Sequence, residues 1–149
     1  MDIRYAIHPE QMKTLDTATI RRQFLVEGLF GEGALNMVYS HVDRIIVGGA
    51  CPAEEQLDLA VTKELGVDWF LQRREMGIIN IGAAGSVRVD GEEYRLGYRE
   101  CLYIGMGPRE VSFASADRND PAKFYFNSTP AHASCPTVKL ALHDAKCLH

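Results

Sequence analysis

The sequence lacks the features that mark several large classes of protein. Of its 149 residues, 16 are Lys or Arg and 20 are Asp or Glu, so the formal net charge is -4 and the longest basic clusters are pairs. A nucleic-acid-binding face needs concentrated positive charge, so we expect no nucleic-acid partner. No run of about 18 apolar residues occurs, so no membrane span is expected. The polar segment 1–20 does not resemble a signal peptide.

The cysteines lack the spacing of a zinc finger. The four cysteines contain no C-x-x-C pair, and they are Cys51, Cys101, Cys135 and Cys147. Zinc-finger spacing is therefore excluded. Reduced thiols in a cytoplasmic protein are the expected state.

Frequent glycines divide the chain into short apolar runs, and this rhythm predicts an all-β sandwich or barrel with a few short helices. The length of 149 residues fits one domain. The predicted strands are 35–41, 44–49, 69–72, 77–81, 86–89, 93–96, 101–104, 111–114 and 123–127. Six aromatic side chains could stack on a sugar, but alternating strand positions predict that most of them lie in the core; they are Trp69, Phe70, Phe113, Phe124, Tyr125 and Phe126.

Turn and cap residues in the sequence predict three local structures. Asp90-Gly91 between two alternating runs predicts a tight hairpin, because Asp-Gly supplies two positive-φ positions. Asp16 or Thr17 can cap a short helix. The run 62–66 reads as one helical turn that ends at Gly66.

The glycine spacing resembles the two-part signature of the cupins, whose jelly-roll barrels hold a cation on three His and one Glu. In that frame the four ligand positions of this chain are Gln72, Arg74, Ile78 and Glu110. Because Arg cannot be deprotonated to bind a cation, we expect a cupin-like jelly-roll without a metal. Arg74 and Glu110 are hypothesised to form an ion pair in its place, the alternative being that both face solvent.

Longer segments resemble one enzyme family, the 5-keto-4-deoxyuronate isomerases (4-deoxy-L-threo-5-hexosulose-uronate ketol-isomerases), which are bicupins. The most similar segment is MVYSHVDRIIVGG at 37–49. The others are KTLDT at 13–17, FLVE at 24–27, RRE at 73–75, GIINIG at 77–82, VSFAS at 111–115, PAKFYFN at 121–127 and PAH at 130–132. Together they extend over nearly the whole chain.

The resemblance implies an isomerase that interconverts 5-keto-4-deoxyuronate and 3-deoxy-D-glycero-2,5-hexodiulosonate in pectin and uronate catabolism. Family members are nearly twice as long, form homo-oligomers, and bind zinc through a His-x-His, a Glu and a distant His in their second half. This chain has no His-x-His, so no zinc ligand and no catalytic residue is assigned to it. We expect 1–136 to be the N-terminal cupin-like domain and 137–149 a tail, or the start of a linker to a missing second domain.

Four side chains are weak candidates for contact with a sugar-acid substrate. Arg44, Arg73 and Arg74 could bind a carboxylate bidentately, and His41 lies in the segment most similar to the family. Structural or surface ion pairs, and a strand-end histidine bonded to backbone, are the alternatives. A non-catalytic, metal-free cupin module for assembly or sugar-acid binding remains the competing function.

Overall fold

The computed structural model describes residues 1–145, which form mostly β-strands. The strands are β1 (Asp2–Arg4), β2 (Ala34–Ser40), β3 (Ile46–Cys51), β4 (Leu57–Asp58), β5 (Arg74–Asn80), β6 (Gly85–Val89), β7 (Glu92–Leu96), β8 (Cys101–Ile104), β9 (Val111–Ser115), β10 (Phe124–Pro130) and β11 (Val138–Leu140). The helices are α1 (Pro9–Met12) and α2 (Thr17–Phe24), and two 3-10 turns span Lys63–Leu65 and Leu142–Asp144. No helix within 1–145 is long and apolar enough to cross a bilayer.

Two sheets form the body of the domain. One has seven strands in the order β1-β2-β3-β10-β5-β8-β11, and the other has four in the order β4-β9-β6-β7. All pairings within them are antiparallel except β1 with β2. Antiparallel strands can bury one face and expose the other. The predicted all-β, cupin-like jelly-roll with a few short helices is confirmed.

Aromatic side chains fill the space inside this jelly-roll. Phe113 on β9 lies 5.5 Å from Phe124 and 5.9 Å from Phe126, both on β10, measured between ring centroids. All three are fully buried. The two sheets therefore meet through a packed aromatic core. The prediction that most of the six aromatic rings lie in the core is confirmed, since Phe70 is buried as well, whereas Trp69 and Tyr125 are only partly buried.

The three predicted turn and cap structures are confirmed. Asp90 and Gly91 have φ of 46° and 89° between the paired strands β6 and β7, as the tight hairpin requires. Asp16 is the cap of α2, since its Oδ1 accepts a hydrogen bond from the Thr19 N–H at 2.7 Å. Gly66 has φ of 61° where the turn Lys63–Leu65 ends.

Two strand predictions need correction. The predicted strand 69–72 is wrong, because the segment consists of bends and a turn and pairs with no strand of either sheet. The segment is a turn in which the Gln72 N–H donates to the Trp69 carbonyl at 3.2 Å. The strand predicted at 44–49 begins only at Ile46, because the positive φ of Arg44 belongs to the preceding turn.

The C-terminal segment is more ordered than the sequence indicated. Within the predicted tail, Val138–Leu140 forms the edge strand β11 and pairs with β8. The ammonium of Lys139 lies 2.8 Å from the Glu100 carboxylate, which adds a contact to this edge. Residues 146–149, including Cys147, lie outside the described residues. The domain boundary at 136 stays a prediction.

Candidate functional site

The inward face of β5 decides what the interior of the barrel can bind. Its inward side chains are buried, and they are Arg74, Met76, Ile78 and Asn80. Ile78 lies opposite Phe126 of β10 in the strand register. Space for the Phe126 ring exists because its other neighbour is Gly48, where a Cβ would collide with the ring. Aliphatic and aromatic carbon therefore occupies the depth at which the cupin frame places one ligand.

The other frame positions are used in different places. The Gln72 side chain accepts a hydrogen bond from the Asp68 N–H at 2.8 Å and so closes a local turn. Glu110 lies at a separate surface cavity with Asp90, whose Oδ1 accepts from the Glu110 N–H at 2.8 Å. The four frame positions therefore do not supply a set of donors around one point.

The hypothesised ion pair between Arg74 and Glu110 is wrong. Neither residue takes part in any of the ion pairs within 4 Å that the described residues form. Arg74 also does not face solvent, since only 7% of it is exposed. Its guanidinium is bonded to backbone and hydroxyl oxygens instead.

Arg74 connects three segments at one end of the barrel. Its Nε donates to Ser128 Oγ at 3.1 Å, and its Nη2 donates to the Ser128 carbonyl at 2.7 Å and to the Arg44 carbonyl at 2.6 Å. The Tyr39 ring centroid lies 5.9 Å from the guanidinium carbon. Burial lowers the pKa of the Arg74 guanidinium, yet an arginine in a protein stays protonated. A fixed positive charge therefore sits where β5 begins.

The turn that receives this charge has an unusual backbone. Asp43 and Arg44 have φ of 54° and 53°, a region that residues with a side chain rarely occupy. The Ser40 N–H donates to the Ile45 carbonyl across the turn at 2.8 Å. The hydrogen bond from Arg74 to the Arg44 carbonyl helps to offset the strain of this conformation.

A cavity of about 380 Å³ opens at this end of the barrel. It brings together three of the four candidate side chains, Arg44, Arg73 and Arg74. The rest of its lining comes from β2, from the turn at Lys63–Leu65 and from the end of β10, and consists of Tyr39, Glu64, Leu65, Gly66, Val67, Pro130, Ala131 and His132. Cationic and aromatic groups on one concave surface can bind an anion.

The fourth candidate, His41, does not line that cavity. Its imidazole stacks on Tyr5 with ring centroids 4.6 Å apart, and it meets the Tyr39 ring edge-on at 5.1 Å. Its backbone N–H donates to the Arg4 carbonyl at 2.8 Å. These contacts match the structural alternative, in which His41 ends a strand.

His132 and Cys135 could together suggest a nucleophile or a metal ligand, but without a third member the sequence assigns His132 no substrate contact. The structure places His132 in the cavity. The chain carries it there because the Ala131 N–H donates to the Arg73 carbonyl at 3.1 Å, just beyond the β5–β10 pairing. Only the register of two strands distant in sequence produces this meeting. The run Pro130-Ala131-His132 alone gave no such signal.

The described residues do not fit a zinc ion. No group of three or more His, Cys, Asp or Glu side chains within 1–145 could hold a metal ion. The cavity instead presents three arginines, which carry no lone pair to donate. The barrel interior offers Ile78 and phenyl rings, which are not ligands.

Comparison with known proteins places the chain beside sugar-acid isomerases. No protein-family model matches it. The chain is 53% identical over 142 residues to a protein of Escherichia coli (strain SMS-3-5 / SECEC), a match of 94% of the chain and 51% of that protein. It is 48% identical to one of Caldicellulosiruptor bescii, with 100% and 54% matched, and 50% identical to one of Dickeya dadantii, with 97% and 53% matched. All three are named 4-deoxy-L-threo-5-hexosulose-uronate ketol-isomerase.

Solved structures similar to the chain include two cupins. The Schizosaccharomyces pombe Cnp3 cupin domain is 10% identical, with 65% of this chain and 64% of that chain covered and a TM-score of 0.49. An rmlc-like cupin protein from Desulfovibrio desulfuricans is 12% identical, with 72% and 93% covered and a TM-score of 0.47. The resemblance found in the sequence is thus confirmed by the curated relatives, of whose length the chain spans about half. By homology over nearly all of its residues, the chain belongs to the family of the 4-deoxy-L-threo-5-hexosulose-uronate ketol-isomerases.

Proposed function

We propose that the chain is the metal-free N-terminal half of a uronate ketol-isomerase, which interconverts 5-keto-4-deoxyuronate and 3-deoxy-D-glycero-2,5-hexodiulosonate in pectin and uronate breakdown. The observation that carries this proposal is the 53% identity over 94% of the chain to a protein bearing that name. Because the chain spans only 51% of that protein, the activity is proposed for the longer polypeptide.

The packing of the barrel supports placing the chemistry outside this chain. A ketol-isomerase moves a proton between adjacent carbons while the developing enediolate is stabilised, and the zinc ion that the resemblance implies would supply that stabilisation. In this chain the side chains of Ile78 and Phe126 lie side by side on the inner face of the sheet, where the cupin frame would place a ligand. We therefore assign no catalytic step to its residues and propose that they shape and support the substrate site.

The test compares two polypeptides in one assay. The 149-residue chain and a polypeptide of the relatives' full length are each given 5-keto-4-deoxyuronate with added zinc, and product formation is followed by NMR. We expect turnover only from the longer polypeptide, and no stoichiometric zinc in the shorter one by elemental analysis. Turnover by the 149-residue chain at the longer polypeptide's rate would refute the placement of the chemistry. Absence of turnover from both would refute the isomerase itself.

The competing function is a non-catalytic cupin module for assembly or sugar-acid binding. The arginine-lined cavity favours its binding version, and turnover by the longer polypeptide decides against it. We propose a cytoplasmic location, which the free thiols of Cys51, Cys101 and Cys135 support. A homo-oligomer remains a prediction, to be tested by sedimentation velocity of both polypeptides.

A further inference from the structure

Three arginines that form no ion pair with a described carboxylate converge on one cavity of this domain. Arg44 comes from the β2–β3 turn, Arg73 from the residue before β5, and Arg74 from the first residue of β5. The cavity of about 380 Å³ falls in the range typical of small-molecule sites, roughly 300–1,000 Å³. Its size suits one sugar ring with substituents.

The charge of this cavity is not neutralised from within the domain. None of the three arginines is in an ion pair within 4 Å of a described carboxylate. The single carboxylate in the lining is that of Glu64. Interaction with its own backbone N–H is the main cause that lowers the pKa of Glu64, an exposed residue of the turn Lys63–Leu65. The lining therefore carries net positive charge.

One of the arginines is held in place before any ligand arrives. Nε and Nη2 of Arg74 make three hydrogen bonds with Ser128 and Arg44, and Nη1 makes none among the described residues. No buried side-chain nitrogen or oxygen in this part of the chain is without a partner. Nη1 therefore keeps contact with solvent, on a guanidinium whose position is fixed by the other nitrogens. Such pre-organisation reduces the entropy lost on binding.

The other two arginines carry exposed side chains on a backbone that is hydrogen-bonded in place. Arg73 is anchored through its carbonyl, which accepts from the Ala131 N–H at 3.1 Å, and Arg44 through its carbonyl bond to Arg74. Both side chains are exposed. A guanidinium presents parallel N–H groups that match the two oxygens of a carboxylate. The Tyr39 ring and the His132 imidazole border the same space and provide an apolar face and a hydrogen-bonding group for a sugar.

We propose that this cavity binds the carboxylate of a sugar acid, with Arg44 and Arg73 closing on the anion and Nη1 of Arg74 beneath it. The proposal rests on the proposed function for the choice of a sugar acid over other carboxylates. It makes Arg44 and Arg73 binding residues and Arg74 both a binding and a positioning residue. It also gives the metal-free half a role in recognising substrate.

The test is a calorimetric titration of the 149-residue chain with D-galacturonate, with D-galactose as the neutral sugar of the same ring. We expect galacturonate to bind at least about tenfold more tightly than galactose, as charge-assisted hydrogen bonds predict. Arg44→Gln and Arg73→Gln should each weaken galacturonate binding about tenfold or more. Arg73→Lys keeps the charge but not the paired N–H groups. Its affinity for galacturonate should therefore lie between that of Arg73→Gln and that of the parent. Arg88→Gln removes an exposed arginine from the other sheet and should leave the affinity for galacturonate unchanged.

Three results would overturn the proposal. They are equal affinity for galacturonate and galactose, an unchanged affinity in Arg73→Gln, and tighter binding of inorganic phosphate than of galacturonate. Unfolding midpoints of each variant in urea show whether the fold is intact, and the exposed positions of Arg44 and Arg73 predict that it is.

The same titration separates this proposal from the proposed function. If galacturonate fails to bind while the longer polypeptide isomerises 5-keto-4-deoxyuronate, the cavity assignment is wrong and the isomerase stands. If galacturonate binds with the expected loss in Arg73→Gln while the longer polypeptide shows no turnover, the isomerase proposal is wrong. A sugar-acid-binding module would then be the function.

Discussion

Replacing Arg74 with Met is expected to destabilise the domain by about 2–3 kcal/mol. The parent guanidinium makes three hydrogen bonds, to Ser128 Oγ, the Ser128 carbonyl and the Arg44 carbonyl. At about 0.5–1.5 kcal/mol net for each bond, their loss costs roughly 1.5–4.5 kcal/mol. Removing a buried charge whose pKa burial already lowers recovers part of that cost. Met retains most of the side-chain volume, so a cavity adds little.

Urea unfolding followed by tryptophan fluorescence measures this loss. The chain has one tryptophan, Trp69, whose Nε1 donates to the Gly107 carbonyl at 3.0 Å and whose ring centroid lies 4.5 Å from the Arg109 guanidinium carbon. Its emission therefore reports on the folded state. The melting temperature should also fall, by roughly 5–10 °C for a domain of this size.

A matched control removes an arginine that makes no such bonds. Arg88→Met alters an exposed residue of β6 and should change stability by less than about 0.5 kcal/mol. If Arg74→Met lost no more than Arg88→Met, the guanidinium would not connect β5, β10 and the β2–β3 turn as described. A stabilised Arg74→Met would show that the desolvation cost of the buried charge exceeds its hydrogen bonds.

Three further substitutions test the core and the outer face of the larger sheet. Gly48→Ala should cost about 3 kcal/mol, because its Cβ would collide with the Phe126 ring. Gly77→Ala, whose Cβ would meet only Asn127 Oδ1 at 3.5 Å, should cost less than half as much in the same urea assay, and equal losses would contradict the packing. Tyr103→Phe removes the 2.7 Å hydrogen bond from the Tyr103 hydroxyl to the Glu75 carboxylate, a loss of about 1 kcal/mol at pH 7. That bond raises the pKa of Tyr103 above its usual value, so its stabilisation is fully present below the unfolded pKa of about 10 and declines above it. Unfolding free energies of parent and Tyr103→Phe should therefore converge as pH rises above about 10, and a constant difference would argue against the bond.

Structures fixed by neighbouring residues could be predicted from the sequence. The hairpin depends on Asp90-Gly91 itself, and the start of α2 depends on one Asp16 carboxylate three residues from its partner N–H. Each signal and its consequence lie within a few residues. The alternating runs around them placed most strands within two or three residues of their bounds in the structure.

Features that depend on partners distant in sequence could not be predicted. Strands β1 and β11 have only three residues each, and they pair with β2 and β8. Because they are so short, no alternation of apolar and polar residues indicates them in the sequence. The segment 69–72 has the composition of a strand, yet Phe70 and Leu71 both turn into the core. The positive φ of Asp43 and Arg44 is likewise not encoded by glycine and is held in place by Arg74.

In the candidate site, too, the residue types could be predicted from the sequence, whereas their proximity could not. Arg44, Arg73 and Arg74 were chosen from the sequence for the chemistry of a guanidinium, and their shared cavity follows from the register that sets Pro130 of β10 opposite Arg74. His132 enters through that register alone. Residue type could therefore suggest a carboxylate site, but only the paired strands show that the three arginines meet.

The position of Arg74 explains how the glycine frame of a cupin serves a different purpose in this chain. The frame fixes which side chains of β5 point inward, because alternate residues of a strand share a face. Deep in the barrel the inward residue is Ile78, and the phenyl ring of Phe126 completes a dry core around it. At the open end the inward residue is Arg74, which finds carbonyl oxygens of two other segments rather than a cation. A metal ion joins strands by accepting lone pairs from side chains, whereas a guanidinium joins them by donating N–H groups to backbone oxygens. Arg74 thus provides a cross-link that needs no ion and leaves positive charge at the cavity.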